Sequence, residues 1–135
     1  MPNLFLLFSH SLTPEQEHEI EKKLKVGFIT PLPTDIQKIW SNIKPKGELD
    51  IEPLKEITSW LEDFATMGDF VLIQGEFGAT VYLVNFCFDA GLIPIYATTK
   101  RVYEEHTNSD GTVERKHIFK HVNFRRYVKW GEKYS

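Results

Sequence analysis

Two hydroxyls followed by two cations stand in "ATTKR", residues 97–101. Thr98 and Thr99 can orient a phosphodiester by hydrogen bonding, and Lys100 or Arg101 can stabilise charge building on its phosphorus. The same residues also suit the basic start of a hairpin. A second candidate is "QGEFGAT", residues 74–80, set between the apolar runs "DFVLI" and "VYLVNFCFDAG". Gly75 and Gly78 let the backbone turn sharply and approach a ligand without a Cβ in the way. Ala79, Thr80 and the open N–H groups of the helix that follows then offer donors to an anion. The turn is not a P-loop, because no Lys-Ser/Thr follows its second glycine, and it is not the G-x-G-x-x-G fingerprint. Such a turn serves equally well to pack a strand against a helix. Glu76 would repel a phosphate, yet it can bind an adenine amino group, or bind a ribose hydroxyl and accept its proton. It suits a plain surface position in the first helical turn as well.

The histidines divide into groups. His10, within "SHS", follows the first apolar run. His117 and His121 stand in a basic segment with Arg115, Lys116, Lys120, Arg125 and Arg126. An imidazole titrates near neutral pH, so His10, His117 or His121 can move protons. His18 falls on a charged helix face, and His106 near a hairpin tip. The chain has no H-x-E, H-E-x-x-H, C-x-x-C or Asp cluster, which argues against a dedicated metal centre. The absence of G-x-S-x-G weighs against an α/β-hydrolase.

These residues need elements to position them. "NLFLLF" is a continuous apolar run, as expected of a strand buried on both faces. Thr13, Pro14 and Gln16 form a helix start with a capping box. Ile20 and Leu24 supply that helix's apolar contact, and its remaining face reads as solvated charge. "VGFIT" is a short second strand. A short helix follows from about Thr34, with Ile36, Ile39, Trp40 and Ile43 at helical spacing. The next runs from about Asp50 to Gly68, burying Leu54, Ile57, Leu61 and Phe64. "DFVLI" is a third strand. Residues 77–90 form a helix apolar nearly all round, hence expected to be covered, and Gly91 ends it. "LIPIYATT" is a fourth strand, which Pro94 confines to an edge or a strand start. A hairpin turned at Asp110-Gly111 closes the order.

Alternating strands and helices predict one three-layer α/β domain over residues 1–135, with a mainly parallel sheet and a C-terminal β-hairpin. Ligands of such sheets sit at the carboxyl ends of the strands. Ser9-His10-Ser11, Gln74–Thr80 and Thr98–Arg101 would converge there.

Composition narrows the partners. The 135 residues carry a net charge of −3, unevenly spread. Residues 1–99 hold 7 Lys and Arg against 14 Asp and Glu, whereas residues 100–135 hold 9 against 5. A basic C-terminal third in an acidic chain points to a local anion site, or simply to a solvated tail. The acidic remainder argues against broad duplex-DNA binding. No apolar run reaches the roughly 18 residues of a membrane span, and "LFLLF" lacks the flanks of a signal peptide. The lone Cys87 sits among apolar residues, excludes an internal disulfide and reads as a small core side chain. A soluble cytoplasmic protein is the simplest fit.

"LFLLFSHSLT", "DFVLIQGEFGAT", "GLIPIYATTKR" and "HIFKHVNFRRY", in that order, resemble the small stand-alone CRISPR-associated ring nucleases. These have a Rossmann-like CARF domain and accompany type III CRISPR systems. The similarity runs over nearly the full length. It implies a homodimer that binds a cyclic oligoadenylate, with cyclic tetra-adenylate the expected ring, and needs no cofactor or metal. It also implies cleavage to linear di-adenylates by attack of a ribose 2′-OH, which switches the defence signal off. Ser9 and His10 match the pocket loop after the first strand, and Gln74–Thr80 the glycine turn facing the ring. Thr98 to Arg101 match the last-strand segment. The implied catalytic set is Ser9, His10, Thr99, Lys100 and Arg101. Gln74, Gly75, Glu76, Phe77, Gly78, Ala79, Thr80, Thr98 and His121 would bind substrate, with Phe77 either stacked on adenine or part of the core. A sensor or sponge that holds the ring uncut uses the same residues. A mononucleotide-binding regulator and a DNA-binding accessory protein are the other classes.

Overall fold

A computed structural model describes residues 1–132. Five strands form one sheet in the order β2-β1-β3-β4-β5: β1 Leu4–Leu7, β2 Ile29–Pro31, β3 Phe70–Ile73, β4 Ile93–Thr107 and β5 Val113–Arg126. β1 to β4 run parallel, and β5 returns antiparallel to β4. Side chains alternate along each strand, and the two sets build separate cores. Leu4, Phe70, Leu72, Ile95 and Phe124 pack with Ile20 on one face. Phe5, Leu7, Val71 and Ile73 pack with three further helices on the other. The result is three layers, with a mostly parallel sheet and a C-terminal antiparallel hairpin, as the alternation of elements predicts.

The first layer is α1, Pro14–Glu19, extended by a π-helical turn over Ile20–Leu24. Its start is the expected capping box: Gln16 N–H donates to Thr13 Oγ1, and Thr13 N–H to Gln16 Oε1. Its charged face is not all solvated. Glu19 is buried, and its carboxylate accepts the Phe124 N–H at 2.8 Å and pairs with His121 Nε2 at 2.7 Å.

The opposite layer holds α2 Thr34–Ser41, α3 Leu54–Phe64 and α4 Phe77–Ala90. Three expectations need correction here. α3 ends at Phe64 rather than Gly68, because buried Asp69 accepts the N–H groups of Thr66 and Asn3 and draws the chain out of the helix. Phe64 is exposed, and Trp60 takes the buried place, edge-on to Phe5 at 5.4 Å. α4 has the expected bounds but is not covered: Ala79, Leu83, Val84 and Cys87 are buried, whereas Phe77 and Val81 face solvent.

The second strand is shorter and later than "VGFIT", starting at Ile29. Pro94 sits near the start of β4, where the ladder with β5 is only beginning at Ile95, so its missing N–H is tolerated. From there β4 runs 15 residues without a break. Its pairing with β3 ends at Ile95, but its pairing with β5 continues to Thr107 and Val113. Residues 98–107 therefore carry a two-stranded ribbon about 30 Å past the carboxyl edge of the sheet. The turn at its tip is the expected one, with Gly111 at φ +87° and Asp110 accepting the Thr112 N–H at 2.9 Å.

Burial pushes the Cys87 thiol up to about 12. A thiol reagent at pH 8 should therefore label Cys87 only as fast as the protein unfolds; rapid labelling of the folded chain would contradict its burial. Above about pH 9 the unfolded thiol ionises while the folded one does not, so this group makes stability fall with pH until about 12.

Candidate functional site

At the carboxyl edge, the ends of β1, β3 and β4 lie side by side. Gln74 ties them together: its N–H donates to Leu7 O at 3.1 Å, and its Oε1 accepts the Ala97 N–H at 2.7 Å. The Gln74 amide NH2 is left without a partner among the described residues. From the helical layer, Trp40 Nε1 donates to Gln74 O at 3.1 Å. The indole lies so close that a Cβ on Gly75 would come within 2.7 Å of its ring. Gly75 is thus required for close packing. Gly75→Ala should cost about 1–3 kcal/mol by overpacking, read as a lower urea midpoint. An unchanged midpoint would mean that Trp40 moves aside freely.

Glu76 is the N-cap of α4, and its Oε1 accepts the Ala79 N–H at 3.0 Å. The carboxylate therefore already occupies the positive end of this helix, and the Ala79 donor is spent. Thr80 donates its N–H to Glu76 O, and its hydroxyl is buried. The Ala79 N–H is thus spent on the cap, and the Thr80 hydroxyl has no hydrogen-bond partner among the described residues. Phe77 is 90 % exposed at the mouth of the turn, so of its two readings the structure excludes core packing. A Cβ on Gly78 would sit 3.0 Å from Glu76 Oε1 and 3.4 Å from Leu49, so this glycine makes room for the cap.

Beyond β1, Ser9 continues the alternation onto the face of α2 and α4. Its Oγ lies 3.0 Å from Ser41 Oγ, which accepts from Gln37 Nε2 at 2.9 Å. His10 stands edge-on to Phe8, with ring centroids 5.4 Å apart. Ser9, His10, Gln37 and Ser41 share a cleft of about 360 Å3. Gln37 and Ser41 are residues that motif reading missed. Their only sequence signal is an i, i+4 polar pair on a short amphipathic helix.

The "ATTKR" residues divide between the two faces. Ile93, Ile95 and Ala97 belong to the α1 side, so Thr99 and Arg101 follow them, and Thr98 and Lys100 take the α4 side. The contacts agree. Thr99 pairs with His121, whose ring Glu19 of α1 holds, and the Arg101 guanidinium lies 5.4 Å over Phe119. Thr98 is engaged in a bulge that leaves Val122 extra on β5. Its hydroxyl donates to Asn123 O at 3.0 Å and accepts the Asn123 N–H at 3.3 Å. Lys100, exposed and in no ion pair among the described residues, is three residues or about 10 Å beyond Ala97.

His121 needs correction as a ligand contact: its side chain is 4 % exposed, held by Glu19 and packed on Phe124. The His117 ring lies 4.5 Å from that of Tyr103, tilted by 58°, far out on the ribbon. From the α4 side, Tyr127 donates its hydroxyl to Ile73 O at 2.6 Å, and burial beside Tyr96 raises its phenol above the usual range. It braces the end of β3 from below.

The structure thus brings Ser9, His10, Gln74, Gly75, Glu76, Phe77 and Gly78 to one carboxyl edge, with Lys100 about 10 Å past it on the ribbon. It spends the Ala79 N–H and the Thr98 hydroxyl on internal bonds, buries the Thr80 hydroxyl without a partner among the described residues, and turns Thr99, Arg101 and His121 to the α1 side. A hydroxyl, an amide and an aromatic at this edge, with a cation on the ribbon beside it, suit a ligand with bases and phosphates. Among the described residues, no group of three or more His, Cys, Asp or Glu side chains could hold a metal ion. No described helix is long and apolar enough to cross a membrane.

A family model described as "Uncharacterized protein MJ1673 family" matches residues 2–125. The "Uncharacterized protein MJ1673" of Methanocaldococcus jannaschii is 47 % identical over 127 residues, covering 94 % of this chain and 98 % of the relative. No solved structure matches the chain significantly.

Proposed function

The chain belongs to the MJ1673 family, and we propose that it is a CARF-type ring nuclease with a Rossmann-like fold. Its substrate is a cyclic oligoadenylate, cyclic tetra-adenylate for preference, and its role is to end type III CRISPR signalling in the cytoplasm. The observation that supports this reading is the adjacency of the β1 and β3 ends, which sets the Ser9 cleft beside the Gln74–Phe77 turn at the carboxyl edge, with the ribbon that carries Lys100 leaving the same edge.

The chemistry asks little of side chains beyond placement and charge. A ribose 2′-oxygen attacks the adjacent phosphorus and loses its proton; the bond to the 5′-oxygen breaks, and that oxygen takes a proton up. The product ends in a 2′,3′-cyclic phosphate, and no metal takes part. Ser9, held by Ser41, positions the attacked phosphodiester. Lys100 stabilises its charge, and His10, in the same cleft, relays the proton. Gln74 and Phe77 hold the nucleoside, the latter by stacking. Two subunits repeat these contacts on opposite phosphates, so that two cuts release two di-adenylates.

Calorimetric titration with cyclic tetra-adenylate tests the binding half: one ring per two chains is expected. Binding without any turnover would make the protein a sponge or sensor. No binding of any ring size would overturn the reading.

A further inference from the structure

We infer that Lys120 is a second phosphate-binding cation, forming with Lys100 a clamp on one phosphodiester. The two stand directly opposite each other on β5 and β4. Residues so paired point to one face with Cβ atoms about 5 Å apart, so Lys120 shares the α4 side with Lys100. Both are exposed, and neither is in an ion pair among the described residues. Like charges directly opposite each other on a sheet repel. Toward its tip the ribbon avoids this: Glu104 faces Lys116, and Glu105 faces Arg115, whose Nε lies 3.3 Å from the carboxylate. Of the ribbon's cross-strand pairs, Lys100 and Lys120 alone set like charges opposite each other, and they do so near its base.

The bulge produces this juxtaposition. Thr98 pairs with Asn123 and Thr99 with His121, which leaves Val122 extra on β5. In an unbroken register Lys100 would face His121, and Lys120 would fall opposite Arg101 on the α1 side. One added residue thus turns His121 toward Glu19 and Lys120 toward Lys100. Two adjacent ammonium groups without a carboxylate suit an anion with two equivalent oxygens. A phosphodiester has them: each lysine takes one non-bridging oxygen, and the bound anion offsets the repulsion between the lysines. The clamp itself stands on register and charge. That its anion is the attacked phosphodiester of the ring rests on the ring-nuclease reading. There both oxygens gain negative charge as the 2′-oxygen attacks, so both lysines hold the transition state more tightly than the ground state.

Three measurements on the full chain test it, with Lys116→Ala as the control on the same face. Without ligand, the urea midpoint of Lys120→Gln should exceed that of the wild type at about 0.01 M salt and match it at about 1 M, where the charges are screened. Inorganic pyrophosphate, titrated by calorimetry, should bind the wild type and Lys116→Ala alike, and Lys100→Ala or Lys120→Ala about tenfold more weakly or worse. Single-turnover cleavage of cyclic tetra-adenylate should slow about tenfold or more in Lys120→Ala and return to within about threefold of the wild type in Lys120→Arg. An unchanged midpoint at low salt would overturn the clamp. So would pyrophosphate that Lys116→Ala weakens as much as Lys120→Ala does, or a ring that Lys120→Ala cleaves at the wild-type rate. Pyrophosphate held through both lysines by a protein that never binds or cleaves a ring keeps the clamp and refutes the ring-nuclease reading instead.

Discussion

Lys100→Ala is expected to lower the rate of ring cleavage at saturating substrate by about 100-fold or more, while Arg101→Ala lowers it less than about fivefold. Removing one preorganised group that faces the charge of a transition state costs about 10²–10³ in rate. Lys100 is exposed, unpaired among the described residues and on the side of α4, whereas the Arg101 guanidinium is turned to the other face and lies over Phe119. Neither variant should move the urea midpoint appreciably, because neither side chain is buried. Single-turnover assays decide it. Equal losses in both variants would mean that the two faces of the ribbon act together, and a loss only in Arg101→Ala would put the site on the α1 side.

Glu19→Ala should destabilise the fold by about 2 kcal/mol or more, since each buried partner left without its hydrogen bond costs about 1–3 kcal/mol. The substitution strands the Phe124 N–H and the His121 imidazole, both inside the α1 core. His121 Nδ1 is already buried without a partner, so little else can take up the load. Glu19→Gln keeps an acceptor and should cost less. Urea unfolding measures both. A Glu19→Ala loss below about 0.5 kcal/mol would show the pair to be incidental. Since Thr99 is the cross-strand partner of His121, hydrogen exchange at the base of the ribbon should quicken in the same variant.

The contrast between these residues marks what a sequence reveals. Local signals were legible: the Thr13 capping box, the αL stop at Gly91, the Asp110-Gly111 turn and the bounds of α4 each follow from chemistry within a few residues. Long-range choices were not. Glu19 looks like any acid on a charged helix face until Phe124, 105 residues later, brings its N–H to it. Periodicity places Phe64 on the buried stripe of α3, yet Trp60 fills that space first.

The candidate site was legible as a set of segments and not as a set of side chains. Strand order brings Ser9, Gln74 and Ala97 together as the alternation of elements predicts. Which of Lys100 and Arg101 faces the turn depends on strand parity, counted from Ile95, and on the bulge that places His121 opposite Thr99. Gln37 and Ser41 carry no motif; only the fold makes them the support of Ser9.

The central claim is tested most directly by incubating the purified protein with cyclic tetra-adenylate in EDTA and resolving the products by mass spectrometry. Linear di-adenylates ending in a 2′,3′-cyclic phosphate are the predicted result. A ring that stays intact under these conditions, or products that appear only when a divalent metal is restored, would contradict it.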